Sequence, residues 1–91
     1  MIKNFINGSS ISYTSEKLSV YNPSTGKEIN QVVCSDDTDF QNCIDSSKKA
    51  LLDWSSVTPL KRSRILSKYK NILEQNTDNL SKIISEEHGK T

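Results

Sequence analysis

The chain has 91 residues, of which 33% are hydrophobic and 25% are charged, so it allows one small domain or part of a larger one. Its 12 basic and 11 acidic residues give a formal net charge of +1, which excludes a histone-like wrap around nucleic acid and an acidic tail. No apolar run is long enough to span a membrane, and the first residues lack the apolar stretch of a secretory signal.

Turn signals dominate residues 1–34 and predict a β-hairpin region. Asn7-Gly8 is a favoured two-residue hairpin turn. Residues 22–26, Asn-Pro-Ser-Thr-Gly, form a second turn signal, in which Pro presets φ and Gly supplies a positive φ. Apolar residues stand mostly at alternate positions around it. The pattern predicts strands over residues 3–6, 18–22 and 28–33.

The hydrophobic period becomes helical over residues 35–91. Apolar positions from Phe40 to Trp54 predict a first helix, and Ser35, Asp36 and Asp37 supply its N-terminal cap and favourable charge. A second helix over about residues 59–75 is predicted because Thr58-Pro59 combines an N-cap residue with Pro at the first helical position.

A third helix is predicted over about residues 77–88. Asn76-Thr77-Asp78 breaks the second helix and caps the third, and Gly89 provides the C-terminal stop. The last two helices each carry one apolar stripe, made of Ile65, Leu66, Tyr69, Ile72 and Leu73, and of Leu80, Ile83 and Ile84. All three helices are therefore amphipathic.

One charged residue falls inside each of these stripes, Arg62 in the second helix and Glu87 in the third. A buried charge is costly unless it is paired. We therefore expect the two helices to pack antiparallel, with an Arg62–Glu87 salt bridge of structural importance between them. A structural role is likewise expected for Gly89 as the helix stop.

The residues that could carry chemistry do not combine into a site. Gly89-Lys90-Thr91 matches the end of a phosphate-binding loop, but Ile84 stands where the motif needs Gly. Cys34 and Cys43 are too few for a disulfide-stapled secreted domain, which favours the reducing cytoplasm, and neither neighbours the single histidine, His88. We therefore expect no catalytic, cofactor-binding or metal-binding residue in the chain, and inert thiols.

Taken in order, several motifs resemble the N-terminus of the aldehyde dehydrogenase superfamily. They are Phe5-Ile6-Asn7-Gly8, the stretch from Val20 to Ile29, Trp54 at the end of the first helix, Arg62 with Ile65-Leu66, and Glu87-His88-Gly89-Lys90-Thr91. Within the superfamily, the short lead before Phe5 and the Glu-His-Gly-Lys ending are most similar to the CoA-acylating methylmalonate-semialdehyde dehydrogenases. The similarity covers essentially the whole chain.

The resemblance implies an α+β fragment, with N-terminal β-hairpins and then three amphipathic helices, of an α/β aldehyde dehydrogenase fold. It implies an enzyme that oxidises methylmalonate or malonate semialdehyde with NAD and passes the acyl group to coenzyme A. The nucleophilic cysteine, the general base and the cofactor-binding core of that family follow this segment, so we expect residues 1–91 alone to be inactive and to bind neither cofactor. The expected partners are the remainder of the dehydrogenase chain and, in the complete enzyme, further copies of it.

Two other hypotheses remain open on the sequence. One is a free-standing α+β interaction module without enzymatic activity. The other is nucleic-acid binding through the second helix, where residues 59–70 contain five basic residues and no acidic one. Lys61, Arg64 and Lys68 lie on the outer side of that helix, as expected of a solvated face, so we expect no nucleic-acid partner.

Overall fold

The computed structural model describes residues 1–89, which form four short strands followed by three helices. In chain order the elements are β1 (Asn4–Ile6), β2 (Ser9–Ile11), β3 (Lys17–Tyr21), β4 (Glu28–Val33), α1 (Asp37–Trp54), α2 (Pro59–Gln75) and α3 (Thr77–His88). The α+β arrangement predicted from the sequence is confirmed. Lys90 and Thr91, which belong to the phosphate-loop comparison and to the resemblance, lie outside the described residues.

The first hairpin pairs β1 with β2 in antiparallel register around Asn7 and Gly8. Both turn residues have positive φ, +50° and +76°, which is what the favoured two-residue hairpin turn requires. The sequence predicts this turn but not β2, because Ser9 and Ser10 are polar and give no apolar alternation.

The second hairpin pairs β3 with β4, with Leu18 opposite Val32. Its turn forms at the predicted place: the Asn22 side-chain oxygen accepts a hydrogen bond of 2.9 Å from the Ser24 N–H, and Gly26 has a φ of +69°. The chain start adds to this sheet, because the Val33 N–H donates a 3.0 Å bond to the Ile2 carbonyl oxygen. The two hairpins are thereby joined.

Helix α1 begins at a reciprocal cap between Asp36 and Asp39. The Asp36 carboxylate accepts from the Asp39 N–H at 3.0 Å, and the Asp39 carboxylate accepts from the Asp36 N–H at 3.1 Å. Asp36 therefore confirms the predicted cap. The helix packs against β1, and within residues 1–89 Val33 is the only buried apolar side chain and Asp39 the only buried polar one.

Helices α2 and α3 follow the predicted bounds. Thr58 caps α2 through a 3.3 Å bond from the Lys61 N–H to its hydroxyl oxygen, and Pro59 is the first helical residue. The predicted break at Asn76-Thr77-Asp78 is confirmed and Asn76 occupies the cap position of α3, but no side-chain hydrogen bond caps this helix. The Asn76 side-chain N–H donates instead to the Ile72 carbonyl oxygen at 2.7 Å, at the end of α2.

The molecule is much more open than a compact domain of its size. Its radius of gyration is 16.9 Å, whereas about 12 Å is expected for a compact domain of this length. Its accessible surface is 7524 Å², about 2,200 Å² more than a folded monomer of this mass exposes. Neither α2 nor α3 contains a buried residue. The two last helices therefore contribute to the open surface along their whole length.

Candidate functional site

The largest feature without a partner is the pair of apolar stripes on α2 and α3. All eight apolar residues predicted for these stripes are exposed, among them Tyr69 at 60% and Ile84 at 57%. Scattered exposed apolar residues are ordinary, but aligned rows on two helices mark an interaction surface. We refer to the eight residues, Ile65, Leu66, Tyr69, Ile72, Leu73, Leu80, Ile83 and Ile84, as the open stripes.

Arg62 lies next to the open stripe of α2 and is partly buried, whereas Glu87 is exposed. The structure does not form the predicted Arg62–Glu87 salt bridge. Within residues 1–89 the ion pairs are Lys70–Glu74 at 3.7 Å, inside α2, and Lys82–Glu86 at 4.0 Å, inside α3. Because neither α2 nor α3 buries a residue, the expected antiparallel packing that would bring the two charges together is not made.

The end of α3 meets the turn of the second hairpin. Gly89 has a φ of +73°, and its N–H donates a 2.9 Å bond to the Ser85 carbonyl oxygen, so it ends the helix as predicted. A Cβ atom at this position would lie 3.3 Å from the Pro23 Cβ. Gly89 therefore combines two requirements, a left-handed backbone and a close approach to Pro23.

Asp39 is the most enclosed polar group in the described structure, with 2% of its surface exposed. Its carboxylate accepts from the Tyr13 N–H at 2.8 Å and from the Asp36 N–H at 3.1 Å. The Tyr13 N–H above all, and then Asp36 and Asn4, hold the pKa of Asp39 below its ordinary value of 3.8, against the opposing effect of burial. Asp39 thus ties the loop after β2 to the start of α1.

Sequence reasoning missed Asp39 as a key residue. The available signal was the spacing of Asp36 and Asp39, which is that of a capping box with Asp in both positions. The bond to Tyr13 spans 26 residues and has no local signal.

The apolar side of α1 is also open. Phe5 is 78% exposed and Phe40 is 65% exposed, and both line a groove of about 500 Å³ together with Ile6 and Cys43. Cys43 is exposed and Cys34 is half-buried, and both are free thiols. Asp39, on the polar side of the helix, bonds to the loop that follows the first hairpin. Phe40, Leu51 and Trp54 of the apolar row remain exposed.

No metal-binding cluster is present in the part of the chain that the structure describes. Within residues 1–89, no three His, Cys, Asp or Glu side chains are grouped so that they could hold a metal ion. None of the three described helices is long and apolar enough to cross a membrane. The candidate functional feature that the described residues offer is the exposed apolar surface of α2 and α3.

Comparison with known families agrees with this order of elements and motifs. The profile of the aldehyde dehydrogenase family matches residues 11–91. The chain belongs to the aldehyde dehydrogenase family. The resemblance in the sequence is thereby confirmed at the level of the family.

Two curated relatives share one name. A malonate-semialdehyde dehydrogenase of Pseudomonas aeruginosa is 40% identical over 99% of this chain, and one of Bacillus cytotoxicus is 43% identical over 99%. The matched regions are 18% and 19% of those proteins, so the chain spans less than a fifth of the length of either relative.

A solved structure shows the same arrangement. A crystal structure from Sinorhizobium meliloti, described as a methylmalonate-semialdehyde dehydrogenase complexed with NAD, matches 91% of this chain with a TM-score of 0.87 and 27% identity. The match covers 17% of that protein. The hairpins and helices seen here are thus an arrangement that an aldehyde dehydrogenase uses as a small part of a larger fold.

Proposed function

We propose that this chain forms the N-terminal scaffold of an NAD-dependent, CoA-acylating dehydrogenase of malonate or methylmalonate semialdehyde. The observation that carries the proposal is the 40% identity, over nearly the whole chain, to a malonate-semialdehyde dehydrogenase. The solved relative with bound NAD supports the choice of cofactor. The CoA acceptor rests on the resemblance of the sequence to the acylating subfamily.

The residues of this chain do not fit NAD. Dinucleotides bind where a parallel strand leads through a glycine-rich turn into a helix, so that the phosphates meet the helix N-terminus. Here both strand pairs are antiparallel, and the glycines lie in two hairpin turns and at the end of α3. The connection from β4 to α1 contains Cys34, Ser35 and Asp36 and no glycine. We propose that NAD, coenzyme A and the reacting residues belong to the rest of the dehydrogenase.

The scaffold role includes expectations for the complete enzyme. Its partners would be the remainder of the dehydrogenase chain and further copies of it, in the cytoplasm, without a nucleic-acid or membrane partner. The comparisons do not favour the alternative of a free-standing interaction module, since all the relatives described above are dehydrogenases.

A chimera tests the proposed function. The approximately 90 residues of the Pseudomonas aeruginosa malonate-semialdehyde dehydrogenase that pair with this chain at 40% identity are replaced by residues 1–91. We expect NADH formation from malonate semialdehyde that depends on added CoA. The matched controls are the relative without those residues and the 91-residue chain alone, both expected to form no NADH. A well-folded chimera without activity contradicts the proposal, and NADH formation independent of CoA contradicts the acyl acceptor.

Replacing Gly89 by Ala in this chimera should lower stability. A left-handed backbone costs an L-residue about 1–2 kcal/mol, and the added methyl group also meets Pro23 at 3.3 Å. Gly26→Ala is the matched control because Gly26 has a similar φ, +69°, and nothing within 4 Å of its Cβ position. Urea unfolding should show a larger loss for Gly89→Ala than for Gly26→Ala. Equal losses would mean that the contact with Pro23 has no energetic weight.

A further inference from the structure

One hydrogen-bond donor of the Arg62 side chain is neither exposed to water nor hydrogen-bonded. The Nε atom is buried, and within residues 1–89 it has no hydrogen-bond partner. The residue lies in the first part of α2, where its backbone N–H donates a 3.0 Å bond to the Thr58 carbonyl oxygen. Buried polar groups in native proteins are almost always bonded, so an open donor at this position requires an explanation.

The guanidinium group is suited to one kind of acceptor. Nε and the adjacent terminal nitrogen form a fork that matches the two oxygens of a carboxylate. About one, two and three turns further along the same stripe stand Leu66, Tyr69 and Leu73, all exposed. A surface that covers these apolar residues must remove the remaining water from Arg62, and a guanidinium without water needs a charged acceptor.

We propose that Arg62 anchors the docking of the open stripes, and that the polypeptide covering α2 presents a carboxylate to its guanidinium group. This inference rests on the proposed function, since the covering polypeptide is taken to be the rest of the dehydrogenase. The partner surface is therefore apolar with one acidic residue facing Arg62.

The size of the open surface supports this occupant. The excess exposure of the whole chain, of which the open stripes are a part, is about 2,200 Å², against the approximately 800 Å² that one partner contributes to a standard interface between proteins. It suits the interior of a larger domain, and the relatives devote more than four-fifths of their length to sequence that this chain does not span. A small or polar partner would leave most of the stripes open.

None of the acidic residues of α2 and α3 forms an ion pair with Arg62 within residues 1–89. Glu74 pairs with Lys70, and Glu86 pairs with Lys82, each one helical turn away. Asp78 and Glu87 are exposed, and neither makes an ion pair within residues 1–89. The inference therefore assigns the carboxylate to the covering chain. Glu87, which falls in the stripe of α3, is the alternative source within this chain, and the experiment tests it.

The test compares Arg62→Met with Arg64→Met in the active chimera. Met keeps the apolar length of the side chain and removes the charge, and Arg64 is an exposed arginine of the same helix. Removing Arg62 leaves the facing carboxylate buried and unpaired, so the folding equilibrium constant should fall about a hundredfold or more. Arg64→Met should leave it nearly unchanged. Equal, small effects of both substitutions in an active chimera overturn the anchor and leave the proposed function intact.

A double-mutant cycle with Glu87→Gln identifies the source of the carboxylate. The inference expects the loss from Arg62→Met to be the same in the presence and absence of Glu87. A loss that disappears in the Glu87→Gln background assigns the pair to this chain and overturns the inference. A chimera that does not fold overturns both proposals. Sedimentation of the 91-residue chain tests whether a second copy covers the open stripes instead. A stable dimer that Arg62→Met dissociates would identify the second copy as the occupant and would also overturn the inference.

Discussion

The 91-residue chain on its own is expected to bind an apolar dye and to unfold on heating without a sharp transition. Dye fluorescence and calorimetry measure these two properties. The expectation follows from burial, since Val33, at 9% exposure, is the only apolar side chain buried within residues 1–89. Cooperative unfolding needs a shared core whose loss exposes much surface at once. Two helices with no buried residue cannot take part in such a core.

We expect protection from amide exchange to differ between the parts of the chain. Amide exchange should be slow in β3 and β4, whose strands bond to each other and to Ile2, and fast throughout α2 and α3. Isolated helices of this length are marginal in water, so α2 and α3 depend on a covering surface. A sharp calorimetric transition of the monomer without dye binding, or equal protection of all helices, would contradict this prediction. Inclusion of the segment in the active chimera should restore protection to α2 and α3.

Local signals made much of the fold predictable from the sequence. Thr58-Pro59 defined the start of α2, and Asn7-Gly8 defined the first hairpin turn, since each motif acts through residues that are neighbours in the chain. The three helices therefore lie within a residue or two of their predicted bounds. The apolar stripes were also predicted, because helical periodicity is a property of the sequence alone.

Contacts between distant parts of the chain could not be predicted in this way. The prediction of an Arg62–Glu87 pair assumed that two stripes within one chain must cover each other, whereas the structure leaves both exposed. Similarly, Asp39 attaches α1 to the loop after the first hairpin, while Phe40 and Leu51 of its apolar row stay exposed. Periodicity shows that a helix has an apolar face but not which surface will cover it. The missing information is tertiary, and the length of the relatives indicates how much of it lies in sequence beyond this segment.

Replacing Asp39 by Asn is expected to separate the first hairpin from α1. The carboxylate accepts one bond with each oxygen, from the Tyr13 N–H and from the Asp36 N–H. Asn keeps only one acceptor oxygen and places an N–H₂ group opposite a donor, so one bond is replaced by a repulsion. The Tyr13 amide should exchange about tenfold faster or more, as for the loss of a bond to a charged group. Asp37→Asn is the control, because Asp37 is an exposed acid in the first turn of α1 and undergoes the same change of charge.

The ionisation of Asp39 also indicates how the attachment of the first hairpin to α1 responds to acid. The pKa of Asp39 in the folded chain lies below its ordinary value of 3.8, so folding stabilises the ionised carboxylate relative to the protonated one. Its stabilising contribution is complete above about pH 5, declines as the pH approaches 3.8, and is lost as the pH falls through the lowered pKa. Protection of the Tyr13 amide should therefore be constant from neutral pH to about pH 5 and decline only in stronger acid. In Asp39→Asn this decline should be absent, whereas in Asp37→Asn it should remain. A decline that begins near neutral pH, or that persists in Asp39→Asn, would show that another group controls the junction between the hairpin and α1.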